Sequence, residues 1–269
     1  MDYKFFNVRV VDKVAQVEMN RPAKLNAMNA EFWQELPHIF AWIEEQPGVR
    51  VVVIGGAGAH FSSGIDLAYL ASVAGLLGKD VGRNAVILRN QIKRLQSALE
   101  AVDRCSKPVL AAIQGYCIGG AIDLVSACDM RYCSADARFS ISEIDVGMAA
   151  DVGTLQRLPR IIGDGMMREL AYTGRFVEAD EAQRIGLVNR VYSEPAELLS
   201  EVMQLARQIA AKSPLAVRGT KEMIRYARDH SVEDGLNYIA SWNAAMLQSG
   251  DLRIAMAARM SKTVPEFAD

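Results

Sequence analysis

Three carboxylates that stand among small and apolar residues are the side chains of this sequence best suited to acid–base chemistry. Asp123 lies in the run GYCIGGAIDL, and Glu143 and Asp151 lie in SISEIDVGMAADVGTLQRL. No Lys or Arg occurs in residues 140–156, whereas a solvated face usually mixes both charges. A buried carboxylate without a partner is destabilised by several kcal/mol or takes up a proton. The cluster therefore favours proton transfer, although Asp123 alone could cap a helix and Asp145 alone could brace a turn.

Two apolar strands that run into glycines could supply hydrogen-bond donors beside these acids. The segments are VVVIGGAGAHFSSGIDL and PVLAAIQGYCIGGAIDL. Glycine lets a backbone approach a ligand closely, and the N–H groups at the start of a following helix have no partner within that helix. The backbone N–H groups of Ile65 and Gly120 are the candidates for an oxyanion hole, in which both donate to one negatively charged oxygen. The alternative is that the glycines form tight turns that only pack a helix on the sheet.

Other glycine-dependent and nucleophile sites fit the sequence poorly. A dinucleotide-binding loop needs the spacing G-x-G-x-x-G, and Phe61 occupies the place of the third glycine in GGAGAHF. The sequence contains no G-x-x-x-x-G-K-[ST] phosphate loop and no G-x-S-x-G segment of a serine hydrolase. The paired N–H hypothesis is therefore the sharper one.

The elements that would position these groups alternate between strands and helices. FNVRVVDKVAQVEMN has the pattern of a β-hairpin, AEFWQELPHIFAWIEEQ that of a helix, and VRVVVIGG and PVLAAIQG those of buried strands. A long helix lies between Gly82 and Asp103, MRYCS and ARFSIS are short strands, and helices dominate after about Glu194. This order predicts an α/β core of β-β-α units, residues 1–195, followed by a C-terminal helical region, residues 196–269.

Composition and cysteine usage bound the class of protein. The chain has 269 residues, of which 51% are hydrophobic and 23% charged, and its formal net charge is −2. This is a globular balance without a basic surface for nucleic acid or an anionic membrane. The cysteines lack the CxxC spacing of zinc sites, so no metal is expected. They are interpreted as reduced core residues: Cys105, Cys117, Cys128 and Cys133.

No targeting segment is recognisable in the sequence. The start, MDYKFFNVRV, lacks an apolar signal region, and VPEFAD is not a peroxisomal address. No run of about eighteen apolar residues is present to span a bilayer. We therefore expect a cytoplasmic protein in a reducing environment; the alternative is an organelle protein whose import peptide has been removed.

Six ordered segments resemble the crotonase (enoyl-CoA hydratase/isomerase) superfamily over nearly the whole chain. They are RPAKLNAM, HFSSGIDL, KPVLAAIQGYCIGGAIDLVSACDMRYCSADARFS, GTLQRLPRIIG, TGRFVEADEAQRIGLVNRV and SPLAVRGTKEMI. The resemblance implies a crotonase-like spiral of β-β-α turns with a C-terminal helical region that builds trimers, often paired into hexamers. It also implies an acyl-CoA thioester substrate whose carbonyl oxygen accepts hydrogen bonds from the N–H groups of Ile65 and Gly120. CoA would be part of this substrate, and no separate cofactor is expected.

The acids distinguish branches of this family. Ordinary hydratases resemble the chain around the glycine pair but carry Glu at the position of Asp123 and tend to have Gly at that of Asp151. The string SEIDVGMAADVGTLQRLP is more similar to the family's isomerases of 3,5-dienoyl-CoA. That similarity implies Glu143 as the base at carbon 2 and Asp151 as the acid at carbon 6, with the direction of transfer open, and Asp123 as a group that positions or polarises the site. The alternatives are a 2-enoyl-CoA hydratase and a non-catalytic paralogue that binds acyl-CoA or RNA.

The same resemblance implies contacts with CoA in two further segments. The residues concerned are Lys24 and Leu25 in RPAKLNAM, and Ser62, Ser63, Gly64 and Asp66 in HFSSGIDL, where backbone contacts are favoured. Lys24 could neutralise a phosphate or be a plain exposed lysine. The helix between Val73 and Ala101 would form the wall of the acyl pocket. We expect a homotrimer or homohexamer without nucleic-acid or membrane partners.

Overall fold

A six-stranded β-sheet is the centre of the fold. The computed structural model describes residues 3–269. The strands, in the order in which they lie side by side, are β1 (Phe6–Val11), β2 (Val14–Met19), β3 (Val51–Gly56), β4 (Val109–Ile113), β6 (Met130–Ser134) and β9 (Arg190–Tyr192). β1 and β2 form the expected antiparallel hairpin, and every later pair in this sheet is parallel. Asp12 and Lys13 close the hairpin with φ of 52° and 64°, the left-handed conformation that a two-residue turn requires.

A smaller sheet carries the glycine pair and the acidic segment. It consists of β5 (Tyr116–Ile118), β7 (Arg138–Ser140) and β8 (Val177–Glu178), with β7 in the middle. β5 ends directly before Gly119, and β7 ends shortly before the 3-10 helix Ser142–Val146 that contains Glu143. Because β5 and β7 are parallel, both segments leave the sheet at the same edge. The sequence predicted β7 but neither β5 nor β8, whose pairing depends on contact with other segments rather than on a local pattern.

The helices form an inner set, which surrounds the sheets, and a C-terminal set. The inner set is α1 (Ala30–Glu45), α2 (Leu67–Ala74), α3 (Val81–Arg104), α4 (Gly120–Ala127), α5 (Thr154–Arg157), α6 (Pro159–Ile162), α7 (Asp164–Thr173) and α8 (Ala179–Arg184), with a further 3-10 helix at Pro22–Lys24. The C-terminal set is α9 (Pro195–Ala210), α10 (Pro214–Tyr226), α11 (Val232–Met246) and α12 (Gly250–Ser261). Among the residues that the structure describes, no helix is both long and apolar enough to cross a membrane.

β3 is apolar because both of its faces are buried. Val52 and Ile54 belong to the main hydrophobic core, which also contains the apolar faces of α1 and α3. Val51 and Val53 belong to a second cluster, which α9 completes. Parallel strands that are covered on both sides are continuous apolar runs rather than alternating ones, which explains the sequence VVVIGG.

The main elements expected from the sequence are confirmed. α3 spans Val81–Arg104, against the expected range from Gly82 to Asp103, and all four cysteines are free and buried. The segment TLQRLPRIIG forms two single-turn helices, α5 and α6, rather than one continuous helix. Pro159 at the start of α6 lacks the N–H that would continue α5.

The C-terminal helices beyond α9 have little contact with the core. α11 buries no residue and α12 buries only Ala258. Large apolar side chains such as Leu236, Met256 and Met260 are exposed on them. By contrast, α9 packs on the six-stranded sheet, although the expected boundary at residue 195 assigns it to the helical region. That boundary stays a prediction.

Candidate active site

The backbone N–H of Ile65 has no hydrogen-bond partner in the part of the chain that the structure describes, although Ile65 forms an isolated parallel β-bridge with Met28, in the segment that precedes α1. Met28 N donates to Gly64 O at 2.8 Å, and Asp66 N donates to Met28 O at 3.0 Å, so the bridge uses the residues on both sides of Ile65. In a parallel pairing the residue between those two directs its own N–H to the opposite side. The bridge therefore fixes the direction of the Ile65 N–H without occupying it.

The N–H of Gly120 is free because Gly120 begins α4, and the first N–H groups of a helix have no partner within it. Gly119 makes the turn from β5 into α4 with φ of 55° and ψ of −121°, a conformation that favours glycine. A Cβ on Gly120 would lie 3.3 Å from Met28 Sδ and 3.8 Å from Ile65 N. The two N–H groups predicted from the sequence therefore lie beside each other.

Gly64 allows the two donor loops to approach. Its φ is +86°, and a Cβ there would lie 2.5 Å from Ile118 O and 3.3 Å from Gly120 N, so a side chain would separate the loops. Buried Ser62 holds the same turn, because its Oγ donates to Asn26 O at 2.8 Å and accepts from Gly64 N at 3.1 Å. The arrangement has the geometry of an oxyanion hole, and that role for Ile65 and Gly120 stays a prediction.

Asp123 connects α4 to the loop that carries Asp151. It lies one turn beyond Gly120 and is buried. It does not cap its own helix, because its Oδ1 accepts a hydrogen bond at 2.6 Å from the backbone N–H of Thr154, the first residue of α5. This contact places the end of the 151–154 loop against α4.

Glu143 and Asp151 enter the site from neighbouring segments. Glu143 lies in the 3-10 helix after β7, where a Cβ on Gly119 would approach its Oε1 to 3.5 Å. Asp151 is half-buried between two buried apolar residues, Ala150 and Val152. Asp145, in contrast, is exposed, which fits a structural rather than a catalytic acid.

Burial raises the pKa of all three acids, and repulsion from neighbouring acids adds to it at Asp123 and Glu143. Burial is the largest cause for Asp123, Glu143 and Asp151 alike. The charges of Glu143 and Asp151 add to burial at Asp123, whose pKa rises to about 7, and the charge of Asp151 also raises the pKa of Glu143. Carboxylates perturb each other in this way only at short range. The structure thus brings the three acids into one site, in which all three pKa values are raised and Asp123 can hold a proton near neutral pH.

Polar atoms without hydrogen-bond partners concentrate in this site. Within residues 3–269, the buried side-chain atoms of this kind are Trp33 Nε1, Asp123 Oδ2, Glu143 Oε2 and Thr154 Oγ1. The last three belong to the acid site. Folded proteins leave few buried polar atoms unpaired, so their concentration here indicates a place for a ligand.

The two segments predicted to contact CoA pack on each other next to the donor loops. Ser63 N donates to Leu25 O at 2.9 Å, and Arg21 forms an ion pair of 2.6 Å with Asp66, which also caps α2. Lys24 is exposed at the end of the short 3-10 helix. Ser62, Gly64 and Asp66 thus shape a turn, and the contacts of both segments with CoA stay predictions.

Three residues that the sequence did not single out complete the site. Asn26 is fully buried, and its Nδ2 donates to two carbonyl oxygens of the loop before Phe61, at 2.9 Å each. Thr154 supplies the N–H that Asp123 accepts, and Gln96 Nε2 donates to Asp151 O at 2.7 Å. A signal existed only for Thr154, because it follows Gly153 at a helix start and so carries an unpaired N–H.

The comparisons with known proteins identify the class. The sequence model of a family described as enoyl-CoA hydratase/isomerase matches residues 9–269. The chain therefore belongs to the enoyl-CoA hydratase/isomerase family. The enoyl-CoA hydratase of Bacillus anthracis has a solved structure that matches with a TM-score of 0.90 and 30% identity, covering 98% of this chain and 99% of that one. This likeness confirms the expected fold class.

Within the family, particular relatives are dienoyl-CoA isomerases. The chain is 48% identical over 252 residues to the peroxisomal Delta(3,5)-Delta(2,4)-dienoyl-CoA isomerase of Arabidopsis thaliana, covering 93% of this chain and 91% of the relative. It is 49% identical over 256 residues to the mitochondrial enzyme of the same name from Homo sapiens, covering 93% of this chain and 78% of the relative. The expected similarity to this branch is confirmed.

The cytoplasmic location expected from the sequence is wrong. The two isomerases named above are a peroxisomal and a mitochondrial protein. The expectation relied on the lack of a recognisable signal region, peroxisomal address or membrane span, together with reduced cysteines. The lack of a recognised address excludes no compartment, and reduced cysteines do not distinguish the cytoplasm from the interior of an organelle.

Proposed function

We propose that this protein isomerises a 3,5-dienoyl-CoA to the 2,4-dienoyl-CoA by proton transfer between two carboxylates. The observation that carries the proposal is a set of three acids, Asp123 buried and Glu143 and Asp151 half-buried, beside a pair of free backbone N–H groups. Two buried carboxylate oxygens of this set have no partner within the described chain. The relatives that are dienoyl-CoA isomerases support the choice of substrate.

The N–H groups of Ile65 and Gly120 bind the thioester carbonyl oxygen. Removal of a proton from carbon 2 moves negative charge onto that oxygen, so hydrogen bonds to it strengthen as the reaction proceeds. Loss of one such donor from a comparable site costs about 3 to 4 kcal/mol. These donors therefore lower the barrier to the first step.

Glu143 accepts the proton from carbon 2, and Asp151 donates a proton to carbon 6. The C2–H electron pair forms the new C2=C3 bond, the C3=C4 pair shifts to C4=C5, and the C5=C6 pair takes the proton from Asp151. The two reacting carbons are four bonds apart, which favours two separate acids over one. Burial raises the pKa of Asp151, so that more of it carries a proton to donate near neutral pH.

Asp123 positions the loop of Asp151, because its Oδ1 accepts the hydrogen bond from Thr154 N, while its Oδ2 faces the site without a partner among residues 3–269. The relatives that are dienoyl-CoA isomerases support isomerisation over the alternative, a 2-enoyl-CoA hydratase.

The test offers a 3,5-dienoyl-CoA and a 2-enoyl-CoA side by side to the wild type and to Asp151→Asn. We expect the wild type to convert the 3,5-dienoyl-CoA faster than the 2-enoyl-CoA. The conversion is measured by the ultraviolet absorbance of the 2,4-dienoyl-CoA product. Asp151→Asn should lower this rate about 100-fold or more. Asp145→Asn, an exposed acid of the same segment, is the matched control and should stay close to wild type.

Two results would overturn the proposal. One is preferential hydration of the 2-enoyl-CoA by the wild type, which would identify a hydratase. The other is an Asp151→Asn rate within a few-fold of wild type, which would remove the second acid from the scheme. Binding of RNA that weakens with added salt, without turnover of either thioester, would favour the non-catalytic alternative.

We also propose that the protein works as a homotrimer or a pair of trimers. The exposed apolar side chains of α11 and α12 support this, because a single chain leaves them in water. Light scattering of the purified chain tests it, and a monomer at micromolar concentration would contradict it. Lys24 and Leu25, exposed beside the donor loops, would bind the CoA portion of the substrate in each copy.

A further inference from the structure

The loop that carries Asp151 packs on the core through buried residues such as Ala150 and Val152, but it borders open space on its other side. A cavity of about 490 Å³ adjoins it, and Gln96, Asp103, Val152, Gly153 and Arg157 are among the residues that line the cavity. A tightly packed interior would fix a loop by contact on all sides. On the side of the cavity, where packing is absent, directed polar contacts hold the backbone instead.

Gln96 makes the most direct of these contacts. Its Nε2 donates to the backbone carbonyl oxygen of Asp151 at 2.7 Å. Gln96 lies on α3, whose following turns are anchored in the core by Ala98, Leu99 and Val102. The hydrogen bond therefore ties the acid's own peptide unit to a rigid element.

Arg157 holds the other end of the loop. Its guanidinium lies directly over Gly153, whose φ of +137° and lack of a side chain make the space available. Arg157 Nε lies 3.4 Å from Asp103 Oδ2, and Arg228 Nη1 lies 2.6 Å from Asp103 Oδ1. Asp103 is two turns beyond Gln96 on α3, so one face of that helix supports both ends of the loop.

We propose that Gln96 and Arg157 are positioning residues for Asp151, which they place against carbon 6 of the substrate through the backbone of the 151–154 loop. The inference rests on the proposed function of Asp151 as the proton donor. Neither residue exchanges a proton itself. Loss of either should therefore impair the transfer at carbon 6 and leave the removal of the proton from carbon 2 by Glu143 intact.

The experiment compares Gln96→Met with Gln156→Met, a matched control on α5 that lines the same cavity but is exposed and lacks a side-chain hydrogen bond among the described residues. Gln96→Met should lower kcat for isomerisation about tenfold, the equivalent of one hydrogen bond, with KM unchanged. Deuterium uptake at carbon 2 of recovered substrate, followed by mass spectrometry in D₂O, should stay at the wild-type rate. Arg157→Lys keeps the positive charge next to Asp103. It should lower kcat for isomerisation by a smaller factor, again without changing deuterium uptake at carbon 2.

Two further measurements separate positioning from a general loss of structure. In the Asp151→Asn background Gln96→Met should have no additional effect on kcat, because it acts through the side chain that is already absent. In Gln96→Met, Asp151 should be less buried, and its pKa should therefore be lower than in the wild type. As the pH is raised, the activity of Gln96→Met should begin to fall at a lower pH than that of the wild type. The thermal midpoint of each variant is measured beside these rates.

Each outcome distinguishes this inference from the proposed function. If Asp151→Asn retains activity, the proposed function is wrong and the inference falls with it. If Asp151→Asn is inactive while Gln96→Met matches Gln156→Met, the inference alone is wrong. Equal losses of isomerisation and of carbon-2 exchange in Gln96→Met, or a full additional loss in the Asp151→Asn background, would likewise reject a positioning role.

Discussion

The donor side and the acid side of the site are built in opposite ways. The donor side consists of backbone N–H groups whose directions are fixed by a bridge, a helix start and the close approach of Gly64 to Ile118 O. The acid side consists of side chains, and two of its buried carboxylate oxygens, on Asp123 and Glu143, have no partner. The donor half of the site is thus held in place by the fold, and the acid half is electrostatically unfavourable.

This difference follows from what each side does in the proposed reaction. Donors that must meet a developing negative charge work best when they are fixed beforehand, because no rearrangement is then needed during the reaction. Acids that must both take and give protons need pKa values near the working pH, and burial beside like charges provides them. The comparison therefore predicts that mutations on the two sides differ in kind as well as in size.

The largest effect is expected for Glu143→Gln. The amide cannot accept the carbon-2 proton, so kcat/KM for isomerisation should fall about 1000-fold or more. Deuterium uptake at carbon 2 should disappear as well, in contrast to Asp151→Asn, which should retain it. Binding of a saturated acyl-CoA, measured by calorimetry, should stay within a few-fold of wild type, because the donor side is unchanged. Retention of carbon-2 exchange in Glu143→Gln would assign the base to another group.

The next largest effect is expected for Gly64→Ala on the donor side. The added Cβ would approach Ile118 O to 2.5 Å at a φ of +86°, so the two loops must separate and at least one N–H must turn away. We expect kcat to fall about 100-fold, the loss typical of one oxyanion-hole donor. Isomerisation and carbon-2 exchange should fall together, since both pass through the same enolate.

Gly165→Ala is the control for this substitution. Gly165 lies in the first turn of α7, where a Cβ meets nothing within 4 Å. Its activity should equal that of wild type, because alanine suits a helix better than glycine does. If Gly64→Ala lost isomerisation but kept carbon-2 exchange, the donor loops would not stabilise the enolate.

The two sides also differ in how far the sequence predicts them. Ile65 and Gly120 could be found because glycine-rich loops after apolar strands are a local pattern, and the structure places these two residues side by side. Asp123, Glu143 and Asp151 could be found from the lack of compensating charge around them. The supports of the acids could not, because Gln96 and Arg157 reach the loop from α3 and α5 through contacts that no local pattern encodes. The short strands β5 and β8 escaped prediction for a similar reason, since their pairing depends on β7.

The smallest effect is expected in the free energy of unfolding of Asp123→Asn. This measurement tests whether the acid side depends on the charge of Asp123 or only on its position. Burial, together with the charges of Glu143 and Asp151, raises the pKa of Asp123 from 3.8 to about 7. The folded protein therefore binds this proton more tightly than the unfolded chain does, so its stability falls as the pH rises from about 4 towards and beyond 7. Between pH 5 and pH 8 this loss is on the order of 2 kcal/mol.

Asparagine removes that loss because it has no charge to bury, and its Oδ1 can still accept the hydrogen bond from Thr154 N. The free energy of unfolding, measured by urea titration at both pH values, should therefore rise in Asp123→Asn relative to wild type, and by more at pH 8 than at pH 5. Asp145→Asn, with its exposed side chain, should show little difference at either pH. An equal gain of Asp123→Asn at the two pH values would mean that Asp123 does not change its charge in this range. The acid side would then depend on the positions of its side chains, as the donor side depends on the positions of its N–H groups, and not on repulsion between neighbouring carboxylates.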